Sequence, residues 1–480
     1  MRVAMFASEM EPFAKTGGLG DVISALPRAL APHLTAIDVF LPLYRQIEKS
    51  NLSLKLVLDP IPVKIGRRSY FGKVWEYQTE IQNLKVYFIS NYPLFGSRRH
   101  LYGKEGRDYR DNLTRFVFFC KSALMAVSAL SKGNQYDVFH MHDWQTALIA
   151  LYTGLLEFSK NHMPLRIFTI HNLAYQGIYP RSSFPLLGID PGFFHRDQLE
   201  YWGKINLLKA GILHSEWLTT VSPTYAQEIQ TETQGAGLGG LIKSKAAKLV
   251  GILNGVDYSI WNPKNDPSIA VNYDKNDFSG KVACKQALQR IFDLDPAAEI
   301  PLCAVVSRLD WQKGMDLILD VLPDLLEDQI QFVLLGTGDP TIEDRFLDLN
   351  QTFPDSTGIA LTFNNSLAHQ IEAGADIFLM PSRYEPSGLN DKYSLRYGTV
   401  PIVHKTGGLA DSVIDYFTYP EKGNGFTFSK FDVQHFKRTF TKVLGIFKNK
   451  TTWHQIMRRG MKQDFSWTKA AAEYLNLYHS

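Results

Sequence analysis

Cysteine is scarce in this chain. Cys120, Cys284 and Cys303 are the only three in 480 residues, with no CxxC pair and no Cys/His spacing of the zinc-binding kind. A disulfide framework is excluded, and a reduced, cytoplasmic setting is expected. The sequon Asn112-Leu113-Thr114 then reads as a chance match. An excess of one charge is lacking too. With 51 basic and 48 acidic residues the net charge is +3, and no basic block is interleaved with aromatics, which argues against nucleic acid as a partner. No window approaches the ~18 apolar residues of a membrane span, so no membrane partner is expected. The opening run from Met1 to Glu9 is too short for a signal peptide and ends in an acid, so it reads as a first buried strand.

What is present is ordinary globular composition, 45% hydrophobic and 21% charged, in a chain long enough for two or three domains of about 150 residues. Short apolar runs recur at Arg2 to Ser8, Ala36 to Pro42, Lys85 to Ser90, Asp137 to His142, Arg166 to His171 and Leu218 to Ser222. Amphipathic stretches such as Asp21 to Ala31 and Leu113 to Leu130 lie between them. Apolar strands alternating with helices imply a parallel sheet covered on both faces. The pattern restarts with strands at Leu249 to Asn254, Leu302 to Ser307, Gln331 to Gly336, Ile377 to Ser382 and Pro401 to Lys405, and helices at Gly314 to Glu327, His369 to Ala375 and Phe431 to Lys448. The expected class is α/β, with two doubly wound domains. The expected division is 1–245, 246–455 and a terminal helical segment 456–480 packing back on the first domain, with the polar stretch Trp261 to Asp277 near the boundary.

Polar and glycine-rich turns follow these strands. Lys15-Thr16-Gly17-Gly18-Leu19-Gly20-Asp21 brings bare backbone and a helix N-terminus to the end of the first strand, a setting that suits an anion. It is neither GxGxxG nor GxxxxGK[ST], which takes support from nicotinamide dehydrogenases and P-loop enzymes. It is echoed by Lys405-Thr406-Gly407-Gly408-Leu409-Ala410-Asp411. The echo reads either as a recurring strand–turn–helix joint or as two helix N-termini facing one ligand. His140-Met141-His142-Asp143-Trp144 suggests a polar strand end rather than a metal site, because a third ligand is not evident. His171, with Asn172, Tyr175 and Gln176 after it, suits sugar hydroxyls or is structural. Arg308 and Lys313, at a strand end before a helix, suit a diphosphate or are solvated surface charge. Glu385-Pro386-Ser387-Gly388-Leu389 presents a carboxylate beside bare amides, or is an ordered loop before a helix.

Taken in order, Lys15 to Asp21, His142 to Trp144, His171 to Gly177, Val221 to Tyr225, Asn254 to Asp257, Arg308 with Lys313, Gly336 to Pro340 and Glu385 to Leu389 resemble the bacterial glycogen synthases and the starch synthases that use ADP-glucose. The resemblance covers essentially the whole chain. It implies the GT-B arrangement of two Rossmann-like domains facing a cleft, transfer of glucose to an α-1,4-glucan such as glycogen with retention of configuration, and neither metal nor cofactor. It assigns Lys15, Gly17 and Gly18 to the donor's phosphate and glucose. Arg308 and Lys313 go to the diphosphate, Glu385 to glucose hydroxyls and His171 to the transferred glucose. The Gly388 and Leu389 amides go to the distal phosphate, Ser387 and Asn254 to the donor, and Tyr102 and Asp143 to positions beside the sugar. In place of the family's usual continuation, this chain reads Asn390-Asp391-Lys392-Tyr393. Asp391 is expected to open a helix aimed at the diphosphate, where it caps the helix or repels the donor. A catalytically weak glucan-binding protein of the same fold, and a transferase with another acceptor, are the competing readings.

Overall fold

The computed structural model describes residues 1–104, 106–131, 133–155, 163–327 and 330–480. The chain forms two compact units. One holds Met1–Val221, Ala226–Gly255 and Trp467–Ser480, and the other holds Ser222–Tyr225 and Val256–Ser466.

The first unit is built on nine strands: β1 (Arg2–Phe6), β2 (Ala36–Pro42), β3 (Lys55–Ile65), β4 (Arg68–Gln78), β5 (Leu84–Ser90), β6 (Val138–His142), β7 (Leu165–Ile170), β8 (Trp217–Thr220) and β9 (Leu249–Gly251). Their order is β9-β8-β7-β6-β1-β2-β5-β4-β3. Every pairing from β9 to β5 is parallel, and the β3–β4 hairpin closes one edge antiparallel. The central β1 is apolar and buried on both faces, as a parallel strand covered by helices must be. Helix α1 (Gly18–Leu30) places Leu19, Val22, Ile23, Leu26 and Leu30 on one buried stripe, and Asp21 in its first turn complements the helix dipole.

Helix α2 (Asn112–Ser131) differs from the sequence reading. It is long and apolar enough to cross a membrane by length and composition, with a mean hydropathy of 1.5, yet 67% of that stretch is buried inside the fold. Its apolar character serves the core of the unit, where Phe116, Val117, Phe118 and Phe119 are all sealed from solvent. Asn112 of the sequon is buried there as well and donates to the Tyr102 carbonyl.

The second unit carries β10 (Leu302–Val306), β11 (Gln331–Leu335), β12 (Thr357–Ala360), β13 (Ile377–Met380), β14 (Val400–His404) and β15 (Phe426–Phe428). Their order, β12-β11-β10-β13-β14-β15, is wholly parallel. This is the 3-2-1-4-5-6 order of a doubly wound nucleotide-binding sheet, whose switch point lies between its first and fourth strands, here β10 and β13. Helix α3 (Met315–Glu327) covers one face with Leu317, Ile318, Val321, Leu322 and Leu325.

Two boundaries depart from the expected division. The strand assigned to the second domain, β9, pairs in parallel with β8 at the edge of the first sheet, so the chain leaves the first unit after Gly255 rather than at 245. The segment 456–480 is also divided. Its first part lies in α4 (Lys450–Lys462) of the second unit, and only α5 (Trp467–Tyr478) belongs to the first, where it packs against α1.

Candidate active site

In the first unit the candidate residues gather at the carboxyl ends of β1, β6 and β7, the edge at which open α/β sheets bind ligands. The loop after β1 is organised by Glu9, which in the sequence stands out only as the acid ending an apolar run. Its buried carboxylate accepts from the Thr16 amide (2.5 Å), the Thr16 hydroxyl (2.7 Å), the Gly17 amide (3.2 Å) and the Tyr102 hydroxyl (2.6 Å). Tyr102 is thereby tied to the glycine loop. Burial, with the Glu9 charge next to it, raises its phenol well above the ordinary value. Lys15 pairs with Asp21 across the first helical turn at 2.6 Å. Gly17 and Gly18 are exposed, and a Cβ at either would meet nothing within 4 Å.

At the ends of β6 and β7, Asp143 takes a left-handed backbone (φ 57°) and its Oδ1 accepts the His171 amide at 2.8 Å. Burial pushes the Asp143 carboxyl up to about 7, against the pull of the His171 and Asn172 amides, and the Glu9 charge adds to the rise. Burial also holds His171 down at about 3, so its imidazole is neutral. The histidines of the His140–His142 pattern are engaged by the protein: His140 reaches the Tyr478 hydroxyl and the Thr169 hydroxyl, each at 2.7 Å, and His142 reaches His171. Gln176, offered as a sugar ligand, instead braces loops, donating to the Leu173 and Ala236 carbonyls and accepting from Asn206. Asn254 is buried, one residue before Gly255, where this unit's second segment ends.

In the second unit Lys313 and Glu385 come together, Nζ to Oε2, at 2.6 Å, and the Ser382 hydroxyl donates to the same oxygen at 3.0 Å. Ser382, just beyond β13 and three residues before Glu385 in the same stretch, is a partner to which the sequence assigns no role. Lys313 is aimed by the turn that Asp310 caps, with its carboxylate accepting the Lys313 amide at 3.0 Å, and by Gly314, whose left-handed φ of 70° brings it against the Pro381 carbonyl. Arg308 does not join this pair. Its guanidinium bonds Asp310 at 2.8 Å and is 56% exposed, a cation with room to swing.

The Glu385-to-Leu389 turn is fixed from below. Gly407 and Gly408 lie so close to it that a Cβ would fall 2.0 Å from the Glu385 carbonyl and 1.8 Å from that of Ser387. The two echoed loops are therefore unlike: the first presents open glycines, and the second is a buried support.

Asp391 and Lys392 correct the sequence expectation. Both are fully buried. The Lys392 ammonium donates to the Ser387 carbonyl (3.1 Å) and the Gly388 carbonyl (2.6 Å) and lies 3.5 Å from Asp391, which also accepts the Ser412 hydroxyl. The Asp391 side chain lies inside the unit, where burial raises its carboxyl above the ordinary value. The pair braces the Ser387–Gly388 turn.

Residues 2–244 match the starch synthase catalytic domain family, and residues 291–456 match the glycosyl transferases group 1 family. A glycogen synthase 2 of Geobacter metallireducens is 42% identical over all of this chain and 99% of its own length. A glycogen synthase of Syntrophotalea carbinolica is 40% identical over all of this chain and 98% of its own. The chain belongs to the starch synthase family. It is a glycosyltransferase of the glycogen and starch synthase type, with Rossmann-like units of the GT-B class. The catalytic domain of Arabidopsis thaliana starch synthase IV, solved with ADP and acarbose, superposes with a TM-score of 0.90 at 35% identity, covering 99% of this chain and 98% of that one. The fold extends to a sucrose-phosphate synthase of Thermosynechococcus elongatus, at 17% identity and a TM-score of 0.60.

Proposed function

We propose that this glycosyltransferase moves glucose from ADP-glucose to the non-reducing end of an α-1,4-glucan with retention of configuration. The observation that carries the proposal is the Lys313–Glu385 pair at the switch point of a 3-2-1-4-5-6 sheet, where a nucleotide-sugar would place its diphosphate and sugar. The starch synthase IV structure, which holds ADP and acarbose, supports the same ligand classes here.

Breaking the glucose–diphosphate bond builds positive charge on the sugar ring and negative charge on the departing diphosphate. Lys313 and Arg308 are the cations proposed to receive that charge, together with the amides of Gly388 and Leu389. Glu385, already oriented by Ser382, would accept glucose hydroxyls. Lys15 and the uncrowded backbone at Gly17 and Gly18 are proposed for the donor's phosphate, the Gly17 amide being already held by Glu9, and neutral His171 for the transferred glucose. Tyr102, Asp143 and Asn254 are proposed beside the sugar, and Ser387 at the donor. A front-face attack by the acceptor 4-hydroxyl, its proton leaving with the diphosphate, retains configuration without a protein nucleophile. A cytoplasmic setting belongs to the same proposal and suits three buried free thiols.

The test is incorporation of radiolabelled glucose into glycogen with ADP-glucose and UDP-glucose in parallel. Robust transfer from ADP-glucose is expected. A folded protein that transfers from neither donor would overturn the reading.

A further inference from the structure

His142 ends β6 and His171 follows β7, its neighbour in the sheet. His142 Nδ1 lies 2.9 Å from His171 Nε2. His142 is fully buried, and its other nitrogen, Nε2, has no hydrogen-bond partner among the described residues. The ring of His140, whose centroid lies 4.1 Å from that of His142, has both nitrogens committed to Tyr478 and Thr169. His171 has its backbone amide on Asp143 and Nε2 on His142, which leaves Nδ1 as its open ring nitrogen.

Burial keeps both rings neutral. One must therefore donate across the 2.9 Å contact and the other accept. If His142 carried its proton on Nε2, a buried N–H would stand with no acceptor. If it carries the proton on Nδ1, that N–H donates to His171 and only a lone pair is left unmatched. Orphaned buried N–H groups are the rarer of the two defects. The second arrangement also makes His171 Nε2 an acceptor, so its proton sits on Nδ1.

We infer that His142 is a positioning residue that locks His171 in the Nδ1–H tautomer, so that the open side of His171 offers a hydrogen-bond donor to a sugar hydroxyl. His142 itself moves no proton. It fixes which nitrogen of its neighbour holds one, as the orienting partner of a working histidine does elsewhere. The step to the sugar rests on the proposed placement of His171 at the transferred glucose. The tautomer does not.

Two measurements test this. Nitrogen-15 NMR of the full chain labelled at histidine, with His171→Asn to assign the signals, should show His171 protonated at Nδ1 and bare at Nε2. The reverse pattern would overturn the inference. His142→Asn, whose amide can donate from nearly the Nδ1 position, should keep kcat within about threefold. His142→Leu should lose roughly ten- to a hundredfold in kcat with donor KM little changed. Unaltered turnover in a folded His142→Leu variant would also sink the idea. If that variant does not fold, the NMR of the unaltered protein still decides. If the unaltered protein transfers glucose from neither donor, the functional reading fails separately while the tautomer is still read.

Discussion

Lys313 Nζ and Glu385 Oε2 stand 2.6 Å apart, a charge pair formed by the second unit alone. Glu385 is nearly sealed, and Lys313 keeps about a fifth of its side chain in solvent, enough to be reached by a diphosphate. Replacing Lys313 by Ala should lower kcat by about 10²–10³ or more, the loss usual when one hydrogen-bond donor to a developing anion is removed. The fold should survive, because Ser382 still donates to the Glu385 carboxylate. Steady-state kinetics with ADP-glucose, beside a thermal melt, separates the two effects. Near-normal turnover would move the diphosphate elsewhere.

Asp391 and Lys392 should act on stability first. Lys392→Met leaves two turn carbonyls and a buried carboxylate without their cation, which should cost about 3 kcal/mol or more. Asp391→Asn alone, which keeps an acceptor for Ser412, should cost less. Because the pair is in contact, the double substitution should cost less than the sum of the singles. Urea titrations of the four proteins check this, and strict additivity would deny the coupling.

These two residues also show where reading the sequence stops. The central strands of both sheets are legible because continuous apolar runs announce parallel strands, and β2 and β6 fall within a residue or so of the runs that mark them, whereas the short edge strands β12 and β15 of the second sheet are not marked by such runs. The β3–β4 hairpin is not legible in the same way. Its residues alternate in burial, and Phe71 on it is largely exposed, so no apolar run marks it. Of the candidate site, the strand-end motifs pick out Lys313, Glu385 and His171, and the structure sets each of them in the stretch that follows a strand. Spacing cannot tell that Asp391 points into the core, since one helical residue later the direction turns by about 100°. Nor can it show that Gln176 is spent on bracing loops or that Glu9 organises Tyr102, since those partners lie far along the chain.

The echoed glycine loops should respond oppositely to a methyl group. Gly408→Ala puts a Cβ 1.8 Å from the Ser387 carbonyl and should destabilise the second unit by several kcal/mol, or prevent its folding. Gly17→Ala meets open space at an extended φ of −160° that any residue adopts, so its melting temperature should stay unchanged. Its donor KM should rise, because the methyl stands where the loop is proposed to meet the ligand. Melting curves and donor titrations of both variants decide; a destabilised Gly17→Ala protein would contradict the open loop.

The polar groups of β6 and β7 give stability a pH dependence whose sign differs by residue. Burial drops His140 and His171 from 6.5 to about 3, so across that window the unfolded chain binds protons that the folded one refuses, and stability rises with pH. Asp143 works the other way. Its carboxyl is raised from 3.8 to about 7, so between those values the folded protein keeps a proton the unfolded chain has lost, and stability falls as pH rises. Asp143→Asn removes only the second effect. Asparagine tolerates the left-handed backbone at this position, and its oxygen can still accept the His171 amide. The variant should match the unaltered protein near pH 4, gain on it through pH 7, and hold a constant advantage above that. The advantage should reach up to about 4 kcal/mol, because each tenfold change in proton affinity is worth about 1.4 kcal/mol. Denaturant midpoints of both proteins from pH 4 to pH 8.5 measure that difference. A gap that does not change with pH would mean that Asp143 is ionised throughout, with the His171 and Asn172 amides outweighing its burial.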